Sequence, residues 1–354
     1  MHPLHWTVVA LLAVISTASA LHALLHKRES TAAFGWIAFC LLFPLVGSIF
    51  YYLFGINRVR TRARRLRGRT TAAPAEPEPD EDIPDRIPSA FRTQAQISSA
   101  VTQLPLTRGN SVERLFGGEA AYPEMLAAIE QARQRVYLST YIFESNDSGH
   151  QFARALAAAH DRGVDVRVLL DGAGEWYSWP RIRHQLRRAG VSVARFLPPR
   201  LIPPNPVINL RNHRKLLIAD GVTAFAGGMN IGDRHLINRP GPREGITEIH
   251  YHIQGPLTRQ LEDIFLDDWE FATGRRDEPA ERPHPVGDGT ALGRTLIDGP
   301  NEDLQRLTMV LVGAVAAARE HVAIMTPYFL PPRELIAALQ AAAVRGTRVD
   351  IVLP

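Results

Sequence analysis

The stretch Asn212-His213-Arg214-Lys215-Leu216-Leu217-Ile218-Ala219-Asp220-Gly221, with Ala226-Gly227-Gly228-Met229-Asn230 close behind it, decides how the rest of the chain is read. On a strand, His213 and Lys215 would point to one face while Leu216, Leu217 and Ile218 fill the interior. That pairing suits a phosphate. A nucleophilic or proton-transferring histidine beside a fixed cation, with Gly227 and Gly228 leaving room for backbone and Asn230 adding an amide donor, meets the needs of phosphoryl transfer without a metal. Asp220-Gly221 reads as the turn between strands at 215–220 and 222–226.

Outward from this stretch the pattern is α/β. Helices are expected at 123–134, 149–162 and 182–189, and strands at 136–143, 164–170 and 191–196. Strands alternating with helices imply a mixed sheet covered on both faces. An internal repeat runs through it: Val136 to Phe143 lines up with Val322 to Phe329, and Arg162-Gly163 with Arg345-Gly346 and the strand after each. By this spacing the twin of the His213 stretch would fall roughly forty residues beyond Pro354, so the second repeat is expected to be incomplete.

Residues 4–25 are apolar apart from His5, His22 and scattered Ser and Thr, long enough to span a bilayer. Ala18-Ser19-Ala20 resembles a signal-peptide cleavage site, but no basic residue precedes the run and a second apolar run follows at once, which favours a retained helix. That second run, 32–56, carries no charge and has Trp36, Tyr51 and Tyr52 near its ends as interfacial anchors. Pro44 and Gly47 imply a kink or a re-entrant turn. The two runs are expected to form a transmembrane hairpin. Arg58, Arg60, Arg62, Arg64, Arg65, Arg67 and Arg69 follow it, which puts the bulk of the chain in the cytoplasm and forms a patch for anionic lipid headgroups. Residues 70–85 alternate Pro with Glu and Asp and read as a linker.

The division expected is therefore 1–57 for two membrane helices, 58–109 for the basic segment and linker, 110–280 for the first repeat and 281–354 for a linker and the start of the second. The formal net charge of +4 over 354 residues says little about partners because the charge is so unevenly placed. The single cysteine, Cys40, excludes an internal disulfide and a cysteine zinc site, and its apolar surroundings make it a small buried hydrophobe.

His-x-Lys, four residues, Asp, six residues, Gly-Gly-x-Asn resembles the HKD signature of the phospholipase D superfamily, with Gly228 where many members carry Ser. The paired apolar runs ending in Tyr51-Tyr52-Leu-Phe-Gly, together with Ser139-Thr-Tyr-Ile-Phe-Glu144, Asp267-Asp-Trp-Glu and Thr326-Pro-Tyr-Phe329, look like bacterial cardiolipin synthases. The resemblance covers the chain apart from the acidic linker and lacks the family's second HKD motif. It implies a phospholipase D-like fold, with one full repeat and part of a second, and a membrane-bound phosphatidyltransferase. One phosphatidylglycerol would pass its phosphatidyl group to another through a phosphohistidine, releasing glycerol, with no cofactor, metal or nucleic acid. His213, Lys215 and Asp220 are the implied catalytic set, Asp220 by positioning the loop rather than by moving a proton. Asn230, Gly227 and Gly228 would hold the phosphate, and Glu248 stands about where the superfamily places an acidic residue that orients the partner histidine. The partner histidine would come from a second chain or further polypeptide. The alternatives are a catalytically incomplete membrane-anchored remnant and a phospholipase D-type hydrolase; a bacterial inner-membrane location is implied.

The remaining candidates have blander readings. His150, His160, His184, His235, His250, His252 and His321 are expected at the surface or in the core, and His250-x-His252 lacks a third metal ligand. Trp176 and Trp179 are expected in ordinary packing, with a lipid entrance as the alternative. Arg181, Arg183, Arg187 and Arg188 read as a solvated helix face.

Overall fold

A computed structural model describes residues 3–27, 30–56, 87–102, 104–199, 211–238, 245–276, 278–279, 282, 287–299, 305–326 and 328–353. These fall into two units, one holding residues 3–56 and 199 and the other the described residues of 87–198 and 211–353. The arginine patch from Arg58 to Arg69 and the acidic linker lie outside the described residues.

In the first unit, helix α1 (Pro3–His26) is long and apolar enough to cross a membrane. The second apolar run is not one helix. It divides at Phe43 into α2 (Ser30–Leu42) and α3 (Pro44–Phe50), followed by a π-turn over Tyr51–Gly55. Pro44 has no N–H to continue the ladder, and a new helix starts with it in the first turn. The pieces pack through Ala20, Ala23, Cys40 and Tyr51, and the Ser16 hydroxyl donates to the Cys40 carbonyl at 2.6 Å. Cys40 is fully buried.

The second unit begins earlier than expected. Helix α4 (Arg92–Thr102) and strand β1 (Thr107–Gly109) occupy what reads as linker. Gln94 donates to the Val310 carbonyl and β1 pairs antiparallel with β9 (Gly289–Gly293), so this segment is fastened to residues two hundred positions away, a contact no local pattern announces.

At the centre lies a seven-stranded mixed sheet. Its strands are β2 (Ser111–Phe116), β3 (Arg135–Thr140), β4 (Asp165–Asp171), β5 (Ser192–Phe196), β6 (Leu216–Ala219), β7 (Thr223–Gly227) and β8 (Ile249–Gln254), in the spatial order β2-β8-β7-β6-β3-β4-β5. β3, β4 and β5 are parallel; β6 runs antiparallel to β3, and β7, β8 and β2 continue antiparallel. Helices α5 (Gly117–Gln131), α6 (Asp147–Asp161) and α7 (Ile182–Arg188) supply the crossovers, and α8 (Leu257–Thr273) follows β8.

Alternation along β3 explains the two layers. Val136 and Leu138 face a core built with Met125, Ile129, Phe152, Leu156 and Leu186, from α5, α6 and α7. Tyr137 points the other way and stacks on Phe265 of α8 at 4.8 Å, while Arg135 on the same side pairs with buried Glu262 at 2.6 Å. Burying all six residues of β3 makes it the spine of the domain.

The repeat is visible in the backbone chemistry. β10 (His321–Met325) and β11 (Arg348–Val352) pair in parallel, as β3 and β4 do, with α9 (Gln305–Ala317) before them and α10 (Arg333–Val344) between. Arg162 donates to the carbonyls of Ile129 and Ala132; Arg345 donates to those of Val315 and Ala318. Thr140 bonds the Ile142 carbonyl, and Thr326 the Tyr328 carbonyl. Each pair of equivalents does the same job at the same place.

Candidate active site

Parallel strands β3 and β4 end at Thr140 and Asp171, and the residues just past them face the entry of β6. In open α/β sheets this carboxyl edge is where ligands sit, because the crossover loops diverge there. His213 and Lys215 lie in the irregular segment before β6, not on the strand expected to carry them. Their proximity comes instead from a clasp on each side of His213.

On one side, the Asn212 N–H donates to the buried Asp171 carboxylate at 3.0 Å. On the other, Asp268 of α8 accepts the Asn212 side-chain amide at 2.9 Å and pairs with the Arg214 guanidinium. The Asn212 amide oxygen in turn accepts the Arg214 N–H at 3.0 Å. The His213 backbone is thereby held between two carboxylates from distant elements. Burial raises the Asp171 pKa, against the pull of the Ala173, Asn212 and Gly174 N–H groups and Arg211.

The His213 ring keeps an exposed edge and lays its face on Tyr141, with centroids 4.2 Å apart. Partial desolvation, then the charges of Lys215 and Arg211, lower its pKa, so the imidazole is neutral at pH 7 with a lone pair to offer. The Lys215 ammonium donates to the His213 carbonyl at 2.6 Å and lies 5.5 Å from the Tyr141 ring centre. Burial pulls the Lys215 pKa down to about 8, against the opposing charges of Glu248 and Asp171. At pH 7 it remains charged.

Asn230 is oriented from both sides. Its amide oxygen accepts the Ile142 N–H at 3.0 Å, which leaves the NH2 group as the available donor. Its backbone N–H donates to Nε2 of His235 at 3.2 Å. His235 and His250 are both buried, and burial followed by nearby positive groups, Lys215 among them, lowers each pKa to about 4. Two neutral imidazoles thus line the protein side of the lysine. Sequence reasoning placed these histidines among surface and core residues; the signal available was their position, five residues after Asn230 and two after Glu248.

Gly227 and Gly228 are there for space. A Cβ on Gly227 would stand 2.6 Å from Nδ1 of His250, and one on Gly228 would stand 2.9 Å from Cδ of Glu248 and closer still to its carboxylate oxygen. Glu248 therefore fills the volume that a side chain at 228 would take.

Asp220 belongs elsewhere. Grouped with His213 and Lys215 from the sequence, it stands at the opposite end of β6, in a left-handed conformation with φ 52°. Seven residues of extended chain separate it from His213 by about 20 Å. Its carboxylate accepts the N–H groups of Arg133, Gln134 and Arg135 at 2.8–2.9 Å, closing the start of β3. Its three partners all lie at this end of the sheet, away from His213, Lys215 and Asn230. Among the described residues no group of three or more His, Cys, Asp or Glu side chains is arranged to hold a metal.

The cardiolipin synthase phospholipase D-like domain matches residues 125–269, a span that contains every residue of the site described above, and the phospholipase D-nuclease N-terminal family matches residues 7–55. A cardiolipin synthase of Geobacillus kaustophilus is 30% identical over 93% of this chain and 67% of its own length. Cardiolipin synthase A of Pseudomonas fluorescens is 30% identical over 98% of the chain and 73% of its own. The chain belongs to the cardiolipin synthase family. As a family member with an apolar α1, it has the features of a membrane-associated protein. The fold of this cardiolipin synthase relative is also that of phosphatidylserine synthase from Haemophilus influenzae, at a TM-score of 0.51 and 16% identity over 74% of this chain and 66% of the other.

Proposed function

We propose that the protein is a phosphatidyltransferase that makes cardiolipin from two phosphatidylglycerols, and that His213 is a covalent or proton-transferring participant. The observation that carries this is the neutral, Tyr141-backed imidazole of His213 beside the Lys215 ammonium, with the Asn230 amide fixed on the N–H of Ile142, the residue after Tyr141.

In this reading an imidazole nitrogen attacks phosphorus of the first lipid, the bond from phosphorus to the glycerol headgroup oxygen breaks, and glycerol leaves with a proton from a second imidazole. A terminal hydroxyl of the second phosphatidylglycerol then gives its proton back to that imidazole and attacks, and the phosphorus–nitrogen bond breaks. The second imidazole comes from further polypeptide or from a second chain. Lys215 and Asn230 supply fixed donors to the non-bridging oxygens, which gain charge in the transition state. Gly227 and Gly228 let His250 and Glu248 pack closely against their backbone, and Glu248 lies close enough to Lys215 to act on its charge. Anchoring concentrates the acceptor lipid at the site and favours it over water.

The test is incubation of the protein with phosphatidylglycerol in detergent-lipid micelles, with chelator present, and mass spectrometry of lipids and of the His213 peptide. Cardiolipin and glycerol in equal amounts support transfer, and His213→Ala should lower the rate by roughly a thousandfold or more. Phosphatidic acid as the main product would replace transfer by hydrolysis, and a fully active His213→Ala would remove His213 from the mechanism.

A further inference from the structure

Trp176, Tyr177 and Trp179 are 67%, 59% and 84% exposed, on the loop between β4 and α7. Ordinary packing, the reading the sequence favours for Trp176 and Trp179, does not account for them. The loop beneath is firmly held. The Asp171 carboxylate accepts the N–H groups of Ala173 and Gly174 at 2.8 and 3.2 Å, and buried Glu175 pairs with Arg183 at 2.6 Å and Arg195 at 3.6 Å. The Ser145 N–H donates to the Ser178 hydroxyl at 2.7 Å, and the Ser145 hydroxyl donates to the Pro180 carbonyl. A firmly held loop thus presents three large aromatic side chains to solvent.

We infer that residues 176–188 form a docking surface for an anionic lipid bilayer at the mouth of the His213 site. The side-chain types fit an interface: indole and phenol rings have an apolar body and a polar edge, and they prefer the headgroup level of a membrane. The charge fits as well. Residues 172–196 contain five arginines and one acidic residue, and that acidic residue, Glu175, is already paired on the inside. Arg181 lies 5.8 Å from the Trp179 ring centre, so cation and aromatic are presented together. Arg187 and Arg188 are exposed on α7, and Arg187 is held by the Val193 carbonyl at 2.8 Å.

Continuity with the site is the third strand of the argument. Tyr177 meets Tyr141 at 6.0 Å between ring centres, and Tyr141 is the ring on which His213 lies. A bilayer contacting Trp176 and Trp179 would therefore present lipid phosphates two aromatic rings from the imidazole. This surface deepens the proposal of a phospholipid substrate and rests on it.

The 354-residue chain with Cys40→Ala offers a background for a single labelled cysteine, since Cys40 is its one cysteine. Trp179→Cys and, at the opposite end of the sheet beside Asp220, Arg133→Cys would each carry an environment-sensitive fluorophore. Both are reconstituted in phosphatidylcholine vesicles, with or without phosphatidylglycerol, containing nitroxide-labelled lipid. With phosphatidylglycerol present, quenching at 179 should be at least about threefold that at 133, and Arg187→Gln with Arg188→Gln should remove the dependence on phosphatidylglycerol. Because residue 179 is exposed, its replacement leaves the core intact, and cardiolipin formation in micelles checks the fold independently. Equal quenching at the two positions, with transfer intact, overturns the docking surface, leaves a protein partner as the occupant, and preserves the proposed reaction. Preferential quenching at 179 in protein that forms phosphatidic acid instead of cardiolipin upholds the surface and sinks the transfer reaction.

Discussion

Replacing Lys215 should stabilise the fold while it removes activity. The folded protein lowers the lysine pKa from 10.5 to about 8, chiefly through burial. At about 1.36 kcal/mol per pH unit, holding the charge there costs about 3 kcal/mol at pH 7. Lys215→Met removes the charge and keeps the stem, and it loses the hydrogen bond to the His213 carbonyl, worth about 1 kcal/mol. The net gain is about 2 kcal/mol, or roughly 5 °C in Tm for a domain of this size. The sign is specific. Between pH 8 and 10.5 the unfolded chain binds more protons at this lysine than the folded one, so wild-type stability rises with pH relative to the variant. The variant's advantage is full below pH 8 and should shrink by about 2 kcal/mol by about pH 9.5. Urea unfolding of both proteins in the same detergent, at pH 7 and near 9.5, followed by tryptophan fluorescence, measures this difference, and groups common to both cancel. A variant less stable than wild type at pH 7, or an advantage that does not change with pH, would refute the burial of a charged Lys215. Activity should follow the charge as well, falling as pH rises through about 8 while Lys215 loses its proton.

Asp268→Ala should leave Asn212 and Arg214 without their shared carboxylate and lower kcat by roughly tenfold to a hundredfold with little change in KM, because it moves His213 and touches no substrate; Asp268→Glu should recover part of the loss. Gly228→Ser should reduce transfer and stability together, since the new Cβ enters the volume of the Glu248 carboxylate, and adding Glu248→Ala should restore thermal stability without restoring full turnover. Asp220→Ala should cost about 2–4 kcal/mol, by freeing three N–H groups at the start of β3, while the turnover of the folded fraction stays near wild type; a large loss in kcat at unchanged Tm would return Asp220 to the active site.

The crossover elements were legible because their residues repeat at helical or strand spacing: β3, β4, β5, α6 and α7 begin and end within a few residues of where the pattern puts them. The long α8 and the antiparallel strands β2 and β8 were not drawn from the pattern. β8 carries Ile249, His250, Tyr251 and His252 in a polar-apolar mixture whose burial depends on β7 and β2 beside it. The second apolar run was legible in composition but not in shape, since the missing N–H of Pro44 divides what hydropathy joins.

By itself, the order of residue types determined a mixed α/β sheet and marked His213, Lys215, Gly227, Gly228 and Asn230 as the candidate phosphate site, because their spacing is short and the donors and the missing side chains are read directly from residue type. Tertiary structure alone decided which other residues join them. Tyr141, Asp171, Glu248 and Asp268 come from four separate elements and meet Asn212, His213, Arg214 or Gly228 only because the carboxyl edge of β3 and β4 faces the entry of β6. The same geometry sends Asp220 away. A strand carries its two ends to opposite edges of the sheet, so residues that are close in a motif are about 20 Å apart in the fold.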